Sequence, residues 1–319
     1  MDDQVIQWLL EEKEPSVRYR TLVELLDRPC DSAEVIGARA QIADCKNVER
    51  IFARADSSGL FPHKPEYYGN WTTFNYLTIL AELGLSGDDP RVERVVDWIL
   101  TPGEDKKEHF VQNEFPDAYI LDEANLGSCG QVRFLSTLVR LGYLHDPRVQ
   151  RLIEVFVEKG RFDGGYLCKW KKSRHDGQEP KSCYAATVPA LRVYAELPVA
   201  YRCGRKLEKL IAYFTERNMI YNRGDANHII ASTDLGLSDG GVSPIIGIAY
   251  SMCKLGLGNI PQMKAVWENL DHKPSTDGKY ILEWTNSKKA ILMDKPGRPN
   301  KWITLYMLLF AKYRKGDVR

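Results

Sequence analysis

Leu83-Gly84-Leu85 running on to Asp89-Pro90-Arg91-Val92, and Leu141-Gly142-Tyr143 running on to Asp146-Pro147-Arg148-Val149, are two copies of one signal. A fainter third copy is Glu196-Leu197-Pro198 leading to Leu207-Glu208-Lys209-Leu210. Each reads as an apolar helix that stops, a tight turn, and a second, amphipathic helix. Asp89 and Asp146 suit the N-cap, because a carboxylate accepts the orphan amide hydrogens of the following turn. Pro90 and Pro147 then fall at the first helical position, where a missing N–H costs nothing. The chain is therefore an array of helical hairpins.

The repeat is about 55 residues long, beyond the roughly 34 to 47 residues of the common helical repeats. The extra length is a glycine- and aromatic-rich connector before each first helix. These connectors are Ser58-Gly59-Leu60-Phe61-Pro62 through Tyr68-Gly69, then Phe162-Asp163-Gly164-Gly165-Tyr166, then Asp277-Gly278-Lys279-Tyr280. Helices of a first kind, 71–83, 130–141, 184–197, 242–255 and 302–312, are apolar almost all round, which predicts burial. Helices of a second kind, 92–100, 149–157, 206–215 and 262–270, keep one charged face and belong to an outer layer. Three further helices, 17–26, 32–43 and 47–55, precede the array. The pattern predicts an all-α fold, an α/α toroid in one domain, with N-terminal helices over 1–57 and the repeat region over 58–313. A linear solenoid is the competing arrangement, but it needs no such uniformly apolar inner set.

Composition suits a globular protein: of 319 residues, 44% are hydrophobic and 27% charged. A net charge of +1 argues against nucleic acid, which demands a basic face. No apolar run approaches the roughly 18 residues of a membrane span. The acidic start, Met1-Asp2-Asp3-Gln4, does not read as a signal peptide, and seven cysteines then read as reduced thiols. A cytoplasmic location is the expectation.

The stretch from Trp71 to Leu85 with its Asp-Pro-Arg-Val outer start, the Asp163-Gly164-Gly165-Tyr166 connector, and the ending Gly297-Arg298-Pro299-Asn300-Lys301-Trp302-Ile303-Thr304 resemble bacterial and archaeal proteins carrying prenyltransferase and squalene-oxidase repeats. The resemblance covers residues 58–313. It implies the toroid shared by terpenoid cyclases and protein prenyltransferase β-subunits, and a ligand of isoprenoid or other apolar character in a central cavity. The family's Asp-rich acid motif, its Asp-Asp-x-x-Asp magnesium motif and its Asp-x-Cys zinc motif are all missing from the chain. Gly87-Asp88-Asp89-Pro90 and Ser238-Asp239-Gly240-Gly241 come nearest, and helix capping accounts for both. Asp163 and Asp239 remain as isolated candidate acids.

A different metal arrangement is conceivable. Cys129 and Cys183 occupy equivalent places at the starts of two successive inner helices, and Cys168 ends the connector between them. Helix N-termini favour the thiolate that zinc prefers, and His228 is the candidate fourth ligand. Burial as small apolar fillers is the competing reading of these thiols. Tyr68, Trp71, Tyr166, Tyr184 and Trp302 lie in connectors or at inner-helix starts, where they would ring a cavity. Arg298 and Lys301 would then hold an anionic group such as a diphosphate. Two other functions stand beside the isoprenoid enzyme: a non-catalytic ligand- or protein-binding scaffold with structural zinc, and a carbohydrate-processing toroid using Glu114, Asp117, Asp122 and Glu123. The cysteine arrangement predicts about one zinc per chain in untagged protein, lost in Cys129→Ser or Cys183→Ser, by elemental analysis. Metal-free protein of unchanged stability would return the thiols to the core.

Overall fold

Asp89 and Asp146 cap their helices as the sequence predicts. Asp89, at φ −65° and ψ 120°, accepts the Arg91 amide hydrogen at 2.9 Å, and Asp146, at φ −67° and ψ 124°, accepts that of Arg148 at 2.8 Å. Each carboxylate also holds the guanidinium of the same arginine, at 2.6 and 2.7 Å. Such caps contribute about 1 kcal/mol each. Upstream, Gly84 at φ 84° ends its helix in the left-handed conformation, with the Leu85 amide donating to the Leu80 carbonyl at 3.1 Å and the Gly84 amide to that of Ala81. That pair of bonds satisfies carbonyls the helix end leaves open.

The structure is a computed structural model that describes residues 2–61, 73–101, 129–167, 181–238, 241–285 and 295–315. It is predominantly helical, with a few very short strands. Four elements come first: α1 (Asp3–Leu9), α2 (Pro15–Arg20) continuing as a π-helical turn (Thr21–Leu25), α3 (Ala33–Ala43) and α4 (Lys46–Phe52). The array follows as α5 (Thr73–Leu83), α6 (Pro90–Leu100), α7 (Cys129–Leu141), α8 (Pro147–Glu158), α9 (Tyr184–Glu196), α10 (Gly204–Thr215), α11 (Pro244–Lys254), α12 (Lys264–Asp271) and α13 (Lys301–Arg314).

The two expected kinds of helix are distinct. Every residue of α5 but Asn75 is buried, and α13 is buried along most of its length. By contrast, α6, α8 and α10 bury one stripe and expose the rest. The buried helices are neighbours in chain order: α5 against α7, α7 against α9, α9 against α11, and α11 against α13, which in turn packs on the π-helical turn after α2. One continuous apolar core runs through all of them, from Leu9 of α1 to Tyr313 of α13.

The connectors are built by backbone geometry. Gly164 has φ 81°, and a Cβ there would overlap the Lys209 carbonyl of α10. Asp163 accepts the Ser182 hydroxyl at 2.5 Å and the amides of Ser182 and Gly165 at 3.2 Å, so the connector is tied to the start of α9. Tyr166 then turns inward: it is buried, stacks on Phe156 with ring centroids 4.9 Å apart, and donates its hydroxyl hydrogen to the Phe156 carbonyl.

The strands depart from expectation. β1 (Tyr221–Asn222) pairs with β2 (Asp225–Ile229), and β5 (Ser275–Thr276) pairs with β6 (Lys279–Tyr280), both antiparallel. In a third small sheet, β3 (Gly236–Ser238) lies between antiparallel β4 (Gly241–Val242) and parallel β7 (Trp284–Thr285). Ser238 of β3 pairs with Gly241 of β4, while Asp239 and Gly240 between them lie outside the described residues. The pairing of Leu237 with Val242 also delays α11, which starts at Pro244 instead of 242. No helix among the described residues is long and apolar enough to cross a membrane.

Gly142, at φ 104°, has open space where a Cβ would go, whereas Gly164 faces backbone. Gly142→Ala should cost about 1 kcal/mol from backbone strain alone, and Gly164→Ala about 3 kcal/mol or more, read from urea midpoints. Equal costs would show that the Lys209 carbonyl yields.

Candidate functional site

Four of the five buried helices, α5, α7, α9 and α11, carry a charged residue immediately before the leucine that ends or follows them: Glu82-Leu83, Arg140-Leu141, Glu196-Leu197 and Lys254-Leu255. The four alternate in sign along the chain. Because the helices stand side by side with the same register, the four charges meet at one level. Glu82 is the hub. Its carboxylate accepts from Arg140 Nη1 at 2.5 Å, from Arg20 Nη1 at 2.9 Å and from the Tyr306 hydroxyl, and lies 3.7 Å from Arg192 Nη2. Four other elements thereby converge on α5: α2, α7, α9 and α13.

Glu196 makes the second node, bound by Arg192 Nε at 2.8 Å and flanked by Lys254 at 3.5 Å and Arg140 at 3.8 Å. Glu24 makes the third, paired with Arg20 at 2.5 Å and receiving the Tyr250 hydroxyl at 3.4 Å. Aromatic faces complete the arrangement: Arg192 lies 4.3 Å from the Tyr250 ring centroid and Arg20 lies 5.0 Å from that of Tyr306. Burial acts to raise the Glu82 carboxyl, but the charges of Arg140, Arg20 and Arg192 outweigh it and hold the group far below its ordinary value. Glu196 behaves alike, with burial overcome by Lys254, Arg192 and Arg140, and its carboxyl sits at about 2. Both are ionised throughout the neutral range.

A cavity of about 470 Å³ opens above this charged floor. The buried hydroxyls of Thr78, Ser136 and Thr137 lie on it beside Glu82, Arg140 and Arg192. Its walls are Tyr184, Val188 and Pro189 of α9, Val242 of β4, Pro244 and Gly247 of α11, and Arg133 of α7. Exposed Trp284, Ser232 and Asp234 mark the mouth. From Tyr184 to Arg192 along α9 the cavity runs about 12 Å deep, at about 1.5 Å per residue. Pro189 has no amide hydrogen to give the Ala185 carbonyl, so a backbone acceptor on the same wall lacks its usual helical donor. The volume falls within the range of about 300 to 1,000 Å³ typical of small-molecule sites.

The candidates read from the sequence scatter around this cavity. Tyr184 lines it, with its hydroxyl donating to the Met219 carbonyl at 2.8 Å. Tyr166 is core between α8 and α9, and Trp302 is buried with Arg20 5.6 Å from its ring; neither lines the cavity. Arg298 is exposed, and Lys301 bonds Glu11, just past the end of α1, at 3.1 Å, so the expected anion holders are elsewhere. Asp163 accepts three hydrogen bonds; against the pull of burial they hold its carboxyl low, which suits a tie and opposes a general acid. Cys183 is half-buried at the N-cap of α9, while His228 is exposed on β2. Cys129 opens α7, but its side chain, together with Tyr68, Trp71, Cys168, Asp239 and the acidic stretch Glu114 to Glu123, lies outside the described residues. Among the described residues no group of three or more His, Cys, Asp or Glu side chains is arranged to hold a metal ion.

Glu82, Arg140, Arg192, Glu196 and Lys254 are absent from the sequence-based candidates. For all but Arg192 a signal was present: a charge at the same register of four of the five apolar helices, alternating in sign from one repeat to the next. In comparisons with known proteins, no family model, no curated protein and no solved structure matches the chain.

Glu82 and Glu196 have folded-state values below the ordinary 4.5. Their contribution to stability is therefore complete above about pH 4.5 and is lost as pH falls toward about 2. Thermal midpoints should be level from about pH 7 to about pH 5 and then drop steeply across that window. Glu82→Gln strands buried guanidinium groups and should cost about 3 to 5 kcal/mol at neutral pH, while making the acid drop shallower. An unchanged acid profile would remove Glu82 from its place as hub.

Proposed function

We propose that the protein is an α/α toroid whose central cavity binds an apolar small molecule of isoprenoid type. The ring is supported by the run of neighbouring buried helices and by Glu82, which links α5 at one end of that run to α13 at the other. Tyr184 at the start of α9, Val242 of β4 and Trp284 of β7 all line this cavity. The observation that carries the reading is the cavity itself: about 470 Å³, walled by Val188, Pro189, Val242 and Pro244, and closed below by charges already paired with one another.

Binding is favoured over cation-driven cyclisation. Arg133, Arg140 and Arg192 all face the cavity, and a carbocation formed beside them would be repelled in a medium of low dielectric. The resemblance to prenyltransferase and squalene-oxidase repeats therefore supports the ligand's shape class more than a cyclase reaction.

Trp284, 46% exposed at the mouth, is the built-in reporter. Farnesol or geranylgeraniol should raise the thermal midpoint by stabilising the folded state and shift the tryptophan emission to the blue. Val188→Trp, which fills the cavity from the wall of α9, should abolish both effects while leaving the unliganded protein folded. Unchanged midpoint and emission with every prenyl alcohol would overturn the reading.

A further inference from the structure

Between β2 and β3 the chain runs along one side of the cavity as a strap, and three residues spaced two apart, Ile230, Ser232 and Asp234, line the space. The strap's backbone is pinned. The Ile220 carbonyl accepts the Ile230 amide hydrogen at 2.9 Å, and the Ser232 carbonyl accepts that of Ile245 at 3.3 Å. At the far end the Leu235 amide donates to Glu283 Oε2 at 2.6 Å, a carboxylate that Lys273 also holds at 2.7 Å.

The side chains on this strap differ from the charges on the floor. Glu82, Arg140 and Arg192 are bound among themselves and to Glu196, whereas Ser232 and Asp234 are exposed, and among the described residues neither side chain has a hydrogen bond or an ion pair. Trp284 stands next to them. Its amide lies 3.5 Å from the carbonyl of Leu235, one residue on from Asp234, and its ring lies over Gly236, where a Cβ would come within 2.9 Å of Cε3. The indole nevertheless stays open enough to meet a ligand, with Trp284 46% exposed.

An unpaired carboxylate, a hydroxyl and an aromatic ring at one opening are the groups that recognise a cation. Farther along α7 and α9 the sign reverses: Arg133, Arg140 and Arg192 line the cavity there against the single carboxylate of Glu82. A cationic head group is therefore repelled from the interior and attracted to the mouth, while an apolar body takes the space behind it. A neutral alcohol would hydrogen-bond to the strap but leave the charge of Asp234 unmatched, and an anionic head group at the mouth would face it.

We propose that the cavity ligand is an amphiphilic amine, its primary ammonium held at the mouth by the Asp234 carboxylate, the Ser232 hydroxyl oxygen and the Trp284 ring, its apolar body lying inward along Val242 and Val188. The proposal rests on the cavity reading and adds the head group to it.

The matched probes are farnesylamine, farnesol and farnesoate, titrated against the full chain at neutral pH by calorimetry, below the concentrations at which they form micelles. Farnesylamine should bind about 5- to 20-fold more tightly than farnesol, the combined worth of one exposed ion pair and one exposed cation–π contact. Asp234→Asn removes the charge at constant shape from a side chain with no partner to lose, and should bring farnesylamine to within about threefold of farnesol. Trp284→Leu should weaken farnesylamine more than farnesol. If farnesylamine and farnesol bind wild-type protein equally, the head-group assignment is wrong while the cavity reading stands. Tightest binding of farnesoate overturns the proposal in favour of the arginines. A preference for the amine that survives Asp234→Asn removes Asp234 as the anchor, and equal losses in Trp284→Leu remove the ring from the head-group site. Failure of all three probes to bind sinks the cavity reading along with the head group.

Discussion

The Glu82 carboxylate is the point on which the helical array turns. It is contributed by α5 and gripped from α2, α7, α9 and α13, so a single buried anion fixes where four other elements stand. Apolar packing by itself is tolerant of sliding, because leucine and isoleucine side chains repack at modest cost. A buried carboxylate is not tolerant, since removing any one of its partners leaves a charge stranded where water cannot reach it. The register of the inner helices is thereby tied to ion-pair geometry as well as to packing.

The cavity is a consequence of the same arrangement. Paired charges at one level keep the helices from collapsing together there, and their demand for mutual contact leaves the space above them to smaller or apolar residues: Ala185, Val188, Val242 and Gly247. The floor is polar but largely self-satisfied, so it closes the cavity without filling it with solvent-seeking groups.

Much of the connector chemistry turned out to be architecture. Asp163-Gly164-Gly165-Tyr166 looks like a motif because each of its residues is constrained: the aspartate by Ser182, the first glycine by the Lys209 carbonyl, the second by Ser182, and the tyrosine by the pocket beside Phe156. Phe61 shows the same behaviour after Gly59, buried in the core and packed 4.6 Å from Tyr76. An aromatic following a glycine turn in this chain is an anchor for the loop. Trp284 reaches the cavity mouth by another route, through the parallel pairing of β7 with β3.

The sequence by itself determined the helices, their order and their division into buried and half-exposed kinds, because caps, left-handed glycines and apolar periodicity act within a few residues of each other. Asp89, Asp146, Gly84 and Gly142 needed nothing beyond their neighbours to do their work. Which charged residues met was settled only in three dimensions: Arg20 and Glu82 are 62 positions apart, and Tyr306 and Glu82 are 224 apart. The same holds for Lys301, whose partner Glu11 lies at the other end of the chain and takes it out of contention as an anion holder. Local rules write the elements, whereas the pairing of buried charges depends on which helices become neighbours and at what height, and that is decided by the packing of the whole helical array.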